Sequence, residues 1–177
     1  MTTKSAKMQD LAGTSELTIC VILDLSLSCL KDGRRLIDIA KSGLIEFVRD
    51  NLVRGRDEFY LYHPEVIELL DETGDQVAAV ANFETDGTRL NLSEALKVCL
   101  YVASFGSEAS IRHVLLVSDR LCENDEIAMS KFHRLSRTDG LDVSLAVVDL
   151  SPASNDVVEE GSHRVKKLIK GVIFGQD

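Results

Sequence analysis

Five side chains spread over the chain could do chemistry together. Asp24, Ser26 and Ser28 alternate in the stretch ILDLSLS. Thr88 sits in FETDGTRL, and Asp119 follows the run VLLVS. All five offer oxygen, and none offers nitrogen or sulfur. Such a set suits a hard cation, Mg²⁺ or Mn²⁺, and not zinc. The D-x-S-x-S alternation has a physical use. In an extended turn, side chains at i, i+2 and i+4 point the same way, so three oxygens can face one ion. Leu25 and Leu27 would then face the core.

The elements that must position these residues can be read from apolar periodicity. Leu17 to Leu23 is a continuous apolar run, as expected of a strand buried on both faces. Helical spacing of Leu36, Ile37, Ala40, Leu44, Phe47, Val48 and Leu52 predicts a helix from about Lys31 to Leu52, with Gly33 and Gly43 weakening it. EFYLY (58–62) and EVIELL (65–70) read as two short strands turning at His63-Pro64. A short helix is expected over Gln76 to Asn82. A loop over Phe83 to Leu90 then leads to an amphipathic helix carrying Leu92, Ala95, Leu96, Cys99, Leu100 and Ala103 on one face. Val114 to Val117 and Val143 to Val148 read as further strands. A helix over 124–137 lies between them, and Val165, Leu168, Ile169 and Val172 mark a last one.

Strands alternating with amphipathic helices imply a three-layer α/β/α sandwich with a Rossmann-like, mostly parallel central sheet and one antiparallel edge hairpin. Ligands of such folds bind outside the carboxyl ends of the strands, which is where Asp24 and Asp119 fall.

DLSLS, followed by DGTRLNLSEAL and then VLLVSDR, resembles the von Willebrand factor A-type domain, also known as the integrin I-like domain. The resemblance spans roughly residues 17–173. It implies a metal-ion-dependent adhesion site whose residues fall on Asp24, Ser26, Ser28, Thr88 and Asp119. In that family the two serines and the threonine commonly bind Mg²⁺ directly, the aspartates often act through water, and a partner's carboxylate takes the last position. If neutral hydroxyls dominate, the ion keeps most of its charge and can attract an acidic side chain, with no reaction required. Two positions depart from the family pattern, which has glycine at both. Asp86 could assist as a water-mediated ligand or cap the following helix. Arg120 could pair with Asp119 or with a partner's acid, or replace the metal by neutralising the carboxylates.

Other features narrow the function. With 177 residues the chain fits one domain with a sizeable core. The domain is expected over 17–177, behind a flexible polar tail over 1–16 that has no signal-peptide apolar core. No segment is apolar for long enough to cross a bilayer, so a cytoplasmic location is expected, with no membrane partner. A net charge of −9 argues against a nucleic-acid partner, because phosphates would be repelled. The cysteines, Cys20, Cys29, Cys99 and Cys122, show no C-x-x-C pairing and read as small core residues. The histidines, His63, His113, His133 and His163, read as surface or turn residues. HRVKKLIK (163–170) reads as the solvated face of the last helix. Phosphate-loop and hydrolase-elbow motifs are absent. The expectation is a non-enzymatic, Mg²⁺- or Mn²⁺-dependent module binding an acidic residue of a partner protein, as a subunit or adaptor in an assembly such as those built on AAA+ ATPases. The alternatives are a metal-free scaffold and, less favoured for want of a nucleophile or base, a Mg²⁺-dependent hydrolytic or phosphoryl-transfer enzyme.

Overall fold

A computed structural model describes residues 16–25, 30–31, 34–53, 56–62, 67–70, 75–83, 90–105, 110–150 and 160–175. The elements, in chain order, are β1 (Leu17–Asp24), β2 (Leu30–Lys31), β3 (Arg34–Arg35), α1 (Leu36–Asn51), β4 (Glu58–Tyr62), β5 (Ile67–Leu70), α2 (Asp75–Asn82), α3 (Leu92–Ser104), β6 (Ile111–Ser118), α4 (Glu123–Thr138), β7 (Ser144–Asp149) and α5 (Ser162–Phe174).

The main sheet runs β5-β4-β1-β6-β7. β1 pairs parallel with β4 and with β6, and β6 pairs parallel with β7. β5 lies antiparallel to β4, from Phe59↔Leu70 to Tyr62↔Ile67, and the residues between these strands lie outside the described residues. β1 is buried throughout Leu17 to Leu23, and its alternate residues feed two separate cores. Ile19, Val21 and Leu23 pack with α1, α2 and α5. Cys20 and Ile22 pack with α3 and α4. Two helical layers therefore cover the two faces of a mostly parallel sheet, which is the α/β sandwich the sequence implies. Among the described residues, no helix is long and apolar enough to cross a membrane.

Three sequence readings need correction. The first long helix begins at Leu36 and not near Lys31, because Leu30↔Arg35 and Lys31↔Arg34 pair as a small antiparallel ladder. Gly43 does more than weaken α1. A Cβ there would lie 2.5 Å from the Val165 Cβ and 2.8 Å from the Ser162 carbonyl oxygen, so glycine is what lets α1 and α5 approach. Ser162 donates to Glu46 and Lys166 to Asp50 along the same contact. Finally, His113 is buried in β6 and is not a surface residue, whereas His133 and His163 are exposed as expected. Cys20 and Cys99 are free and fully buried. A thiol contact with Cys20, together with burial, pushes the Cys99 thiol up, as fits core residues that are not reactive.

At the amino edge of the sheet the Asp57 carboxylate holds three segments together. Its Oδ1 accepts the N–H of Leu17 and its Oδ2 that of Val53, at 2.9 and 2.7 Å. Arg56 completes a two-pronged pair at 2.9 Å on each oxygen, and this hydrogen-bonded pairing raises the arginine's pKa.

Two measurements follow from this packing. Gly43→Ala should lower stability. Alanine gains about 1 kcal/mol of helix propensity, but overpacking a contact that includes backbone costs about 1–3 kcal/mol. A denaturant midpoint equal to or above the parent's would contradict the close approach. His113 should make stability depend on pH. Burial pushes its pKa down from 6.5 to about 4, and its Nδ1 has no hydrogen-bond partner among the described residues. Between these values the unfolded chain holds a proton that the folded chain refuses. Stability is therefore complete above pH 6.5 and falls as pH drops toward 4, with a slope approaching about 1.4 kcal/mol per pH unit from this group. Urea melts between pH 5 and 7 should show that slope in the parent and lose most of it in His113→Gln.

Candidate functional site

The register of the central strands decides what meets at the carboxyl edge. β1 and β6 run in step, so Asp24 lies opposite Ser118. The next residue, Asp119, donates its backbone N–H to the Asp24 carbonyl oxygen at 3.3 Å. The structure thus brings Asp24 and Asp119 together at the ends of neighbouring strands. Asp24 is half-buried, and Asp119 retains 8% exposure. Leu25 is buried and anchors the chain just past Asp24, as the alternation requires.

Ser26, Ser28, Asp86 and Thr88, with Leu27, lie outside the described residues. The segments that flank them are fixed. α1 begins at Leu36, beyond the serines. On the threonine side, Phe83 and Leu90 bracket residues 84–89. Asn91 caps α3 by accepting the N–H of Glu94 at 3.2 Å. Phe83 is held by an interaction the sequence reading passed over. Lys41, buried on α1, donates from Nζ to the Phe83 carbonyl oxygen at 2.8 Å. The signal was present in the sequence: Ile37, Lys41, Leu44 and Val48 occupy one helical stripe, and a lysine interrupts it. Its stem covers core while its ammonium fixes the start of the Thr88 segment.

Behind Asp119 the turn is equally constrained. Ser118 is fully buried, and its Oγ accepts the Arg120 N–H at 3.2 Å, closing a local serine turn. The Asp125 carboxylate accepts the Cys122 N–H at 2.8 Å and starts α4. Arg120 is exposed, and among the described residues its guanidinium makes no ion pair with Asp119. The option of an arginine standing in for the metal therefore finds no contact here. Asp149, missed in the sequence, is half-buried at the end of β7 in register with Ser118. Its signal was the same as for the other two, an apolar run ending in an acid.

Among the described residues, no three His, Cys, Asp or Glu side chains gather as a metal-holding group. The aspartates at the three strand ends do not make a cation site by themselves. No protein-family model matches the chain, and no curated protein matches it.

The Lys41 contact gives a direct test. Lys41→Met keeps the apolar stem and removes the charged donor from a buried carbonyl. A loss of about 1–3 kcal/mol is expected, measured by chemical denaturation. Unchanged stability would show that the Phe83 carbonyl is satisfied without the lysine.

Proposed function

We propose that the chain is a von Willebrand factor A-type interaction module that binds an acidic side chain of a partner protein through Mg²⁺ or Mn²⁺. The observation that carries the reading is the pairing of Asp24 with Asp119 at the carboxyl edge of the two central strands. The donor set fits the ion: Ser26, Ser28 and Thr88 supply hydroxyls, and Asp24 and Asp119 supply carboxylates, with no nitrogen or sulfur among them. The metal, when bound, supplies a positive charge with one position open to a partner's carboxylate. The protein's own part is to hold the oxygens. Leu25 pins the first loop, Lys41 the approach to the second, and the Ser118 turn aims Asp119 and frees Arg120.

Arg120 then has a role beside the ion. An exposed guanidinium next to the site can make charge-assisted hydrogen bonds to the same incoming carboxylate. Asp86 is a further acid in the Thr88 segment that can modulate the site. A recognition device of this kind needs no nucleophile or base, so the protein is proposed to be non-enzymatic. It would serve as a cytoplasmic subunit or adaptor, in an assembly of the kind built around AAA+ ATPases.

The test is a thermal melt with and without divalent cation. At 100-fold excess over its Kd, a ligand of the folded state adds about 2.7 kcal/mol. For a chain of this size that corresponds to a rise of about 5–10 °C. Asp24→Ala should abolish the rise. A melt of the parent protein that neither Mg²⁺ nor Mn²⁺ moves would refute the metal-dependent reading.

A further inference from the structure

α4 buries Asp125, Ala128, Phe132 and Ser136 against the sheet. At 100° per residue, the face opposite that stripe carries Glu123, Glu126, Ile127, Ser130, Lys131 and Arg134. All six are exposed, and they line a surface hollow of about 540 Å³. Ile127, 52% exposed, is the apolar residue in the middle of this charged face.

The order of charges on this face matters more than their number. Two acids stand at the amino end and two bases at the carboxyl end. Helical ion pairs form at separations of three or four residues. No acid and base of this stripe have that spacing, since Glu126 and Lys131 are five apart. The face therefore holds complementary charges that its own helix does not bring together. A two-fold axis through the middle of the stripe does so. With two copies of α4 antiparallel, Glu123 faces the other copy's Arg134, Glu126 faces its Lys131, and Ile127 seats against its Ser130. Each pairing occurs twice, as an isologous interface requires. The small serine leaves space for the isoleucine.

We infer that this face is a homodimer contact, formed by antiparallel α4 helices from two copies of the chain. The inference does not depend on the metal-site reading. Each copy carries a net charge of −9, but at physiological salt that repulsion is screened beyond about 8 Å, while contacts across the axis are not. The stripe from Glu123 to Arg134 is about 16 Å long. It offers less than the roughly 800 Å² per partner of stable complexes, so a Kd on the order of 100 μM is expected.

Charge exchange on the full chain, read by sedimentation equilibrium up to about 1 mM, tests the contact. The unaltered protein should rise from its 19.5 kDa monomer mass toward twice that value. Glu123→Lys/Glu126→Lys should stay monomeric, although it is less negative overall and so less self-repelling. Lys131→Glu/Arg134→Glu should also stay monomeric. An equimolar mixture of the two variants should dimerise. The fourfold exchange, which restores complementarity in reverse order, should dimerise alone. Circular dichroism melts confirm that each variant is folded. A strictly monomeric parent protein would overturn the inference. So would a dimer that survives the first double variant, or variants that neither the mixture nor the fourfold exchange rescues.

Discussion

β1 is buried from Leu17 to Leu23 on both faces, so every backbone N–H and C=O along it must find its partner inside the sheet. It does so with β4 on one side and β6 on the other, both parallel to it. The rest of the architecture follows from that constraint. Parallel neighbours cannot be joined by tight turns, so helices must carry the chain back, and they cover the two faces. All the parallel strands then end at the same edge. α1, reached from the end of β1, lies in the core on one face, and α4, reached from the end of β6, lies in the core on the other. The chain leaving β1 and the chain leaving β6 thus reach helices on opposite faces of the sheet. That divergence is the switch point at which open α/β sheets bind ligands.

The two edges of the sheet are built differently. At the amino edge the polar groups are satisfied internally: the Asp57 carboxylate spends its lone pairs on Leu17, Val53 and Arg56. That network locks the start of β1 and leaves little capacity for a ligand. At the carboxyl edge the backbone makes the connections, through Asp119 to Asp24 and Leu150 to Ser118. The main chain thus sets Asp24 and Asp119 next to each other at neighbouring strand ends.

The order of elements was legible because the apolar runs are long and their periods unambiguous. β1, β6 and β7 are near-continuous apolar segments, and α3 and α5 carry clean stripes. The start of α1 was misread because Leu30 and Lys31 extend the helical pattern backward, whereas the backbone of Leu30 pairs with Arg35 in a short ladder just before the helix. Gly43 read as a weakness because its justification, Val165, is 122 positions away in sequence. His113 read as surface because the buried strand was started one residue later, at Val114, whereas β6 begins at Ile111. Of the site, Asp24 and Asp119 were legible as acids ending apolar strands. Asp149 obeys the same rule and escaped notice only for lack of a motif around it. Lys41 could have been caught by asking why a cation interrupts an apolar stripe.

The chemistry of the carboxyl edge turns on how charge is divided among donors. Two adjacent carboxylates bring two negative charges, enough to balance a divalent ion if both bind directly. An ion so balanced has little attraction left for an acid on another protein. Among the described residues no metal-holding trio of acids gathers, and in the proposed reading the hydroxyls of Ser26, Ser28 and Thr88 are the deciding donors. Neutral donors complete a coordination shell without cancelling charge. In that reading an incoming carboxylate would meet an undercompensated cation, with the exposed Arg120 as a second attraction. Leu25 serves the same end: held in the core, it fixes where the hydroxyl-bearing segment begins, and neutral ligands need that rigidity more than charged ones do, because each contributes less attraction to hold itself in place.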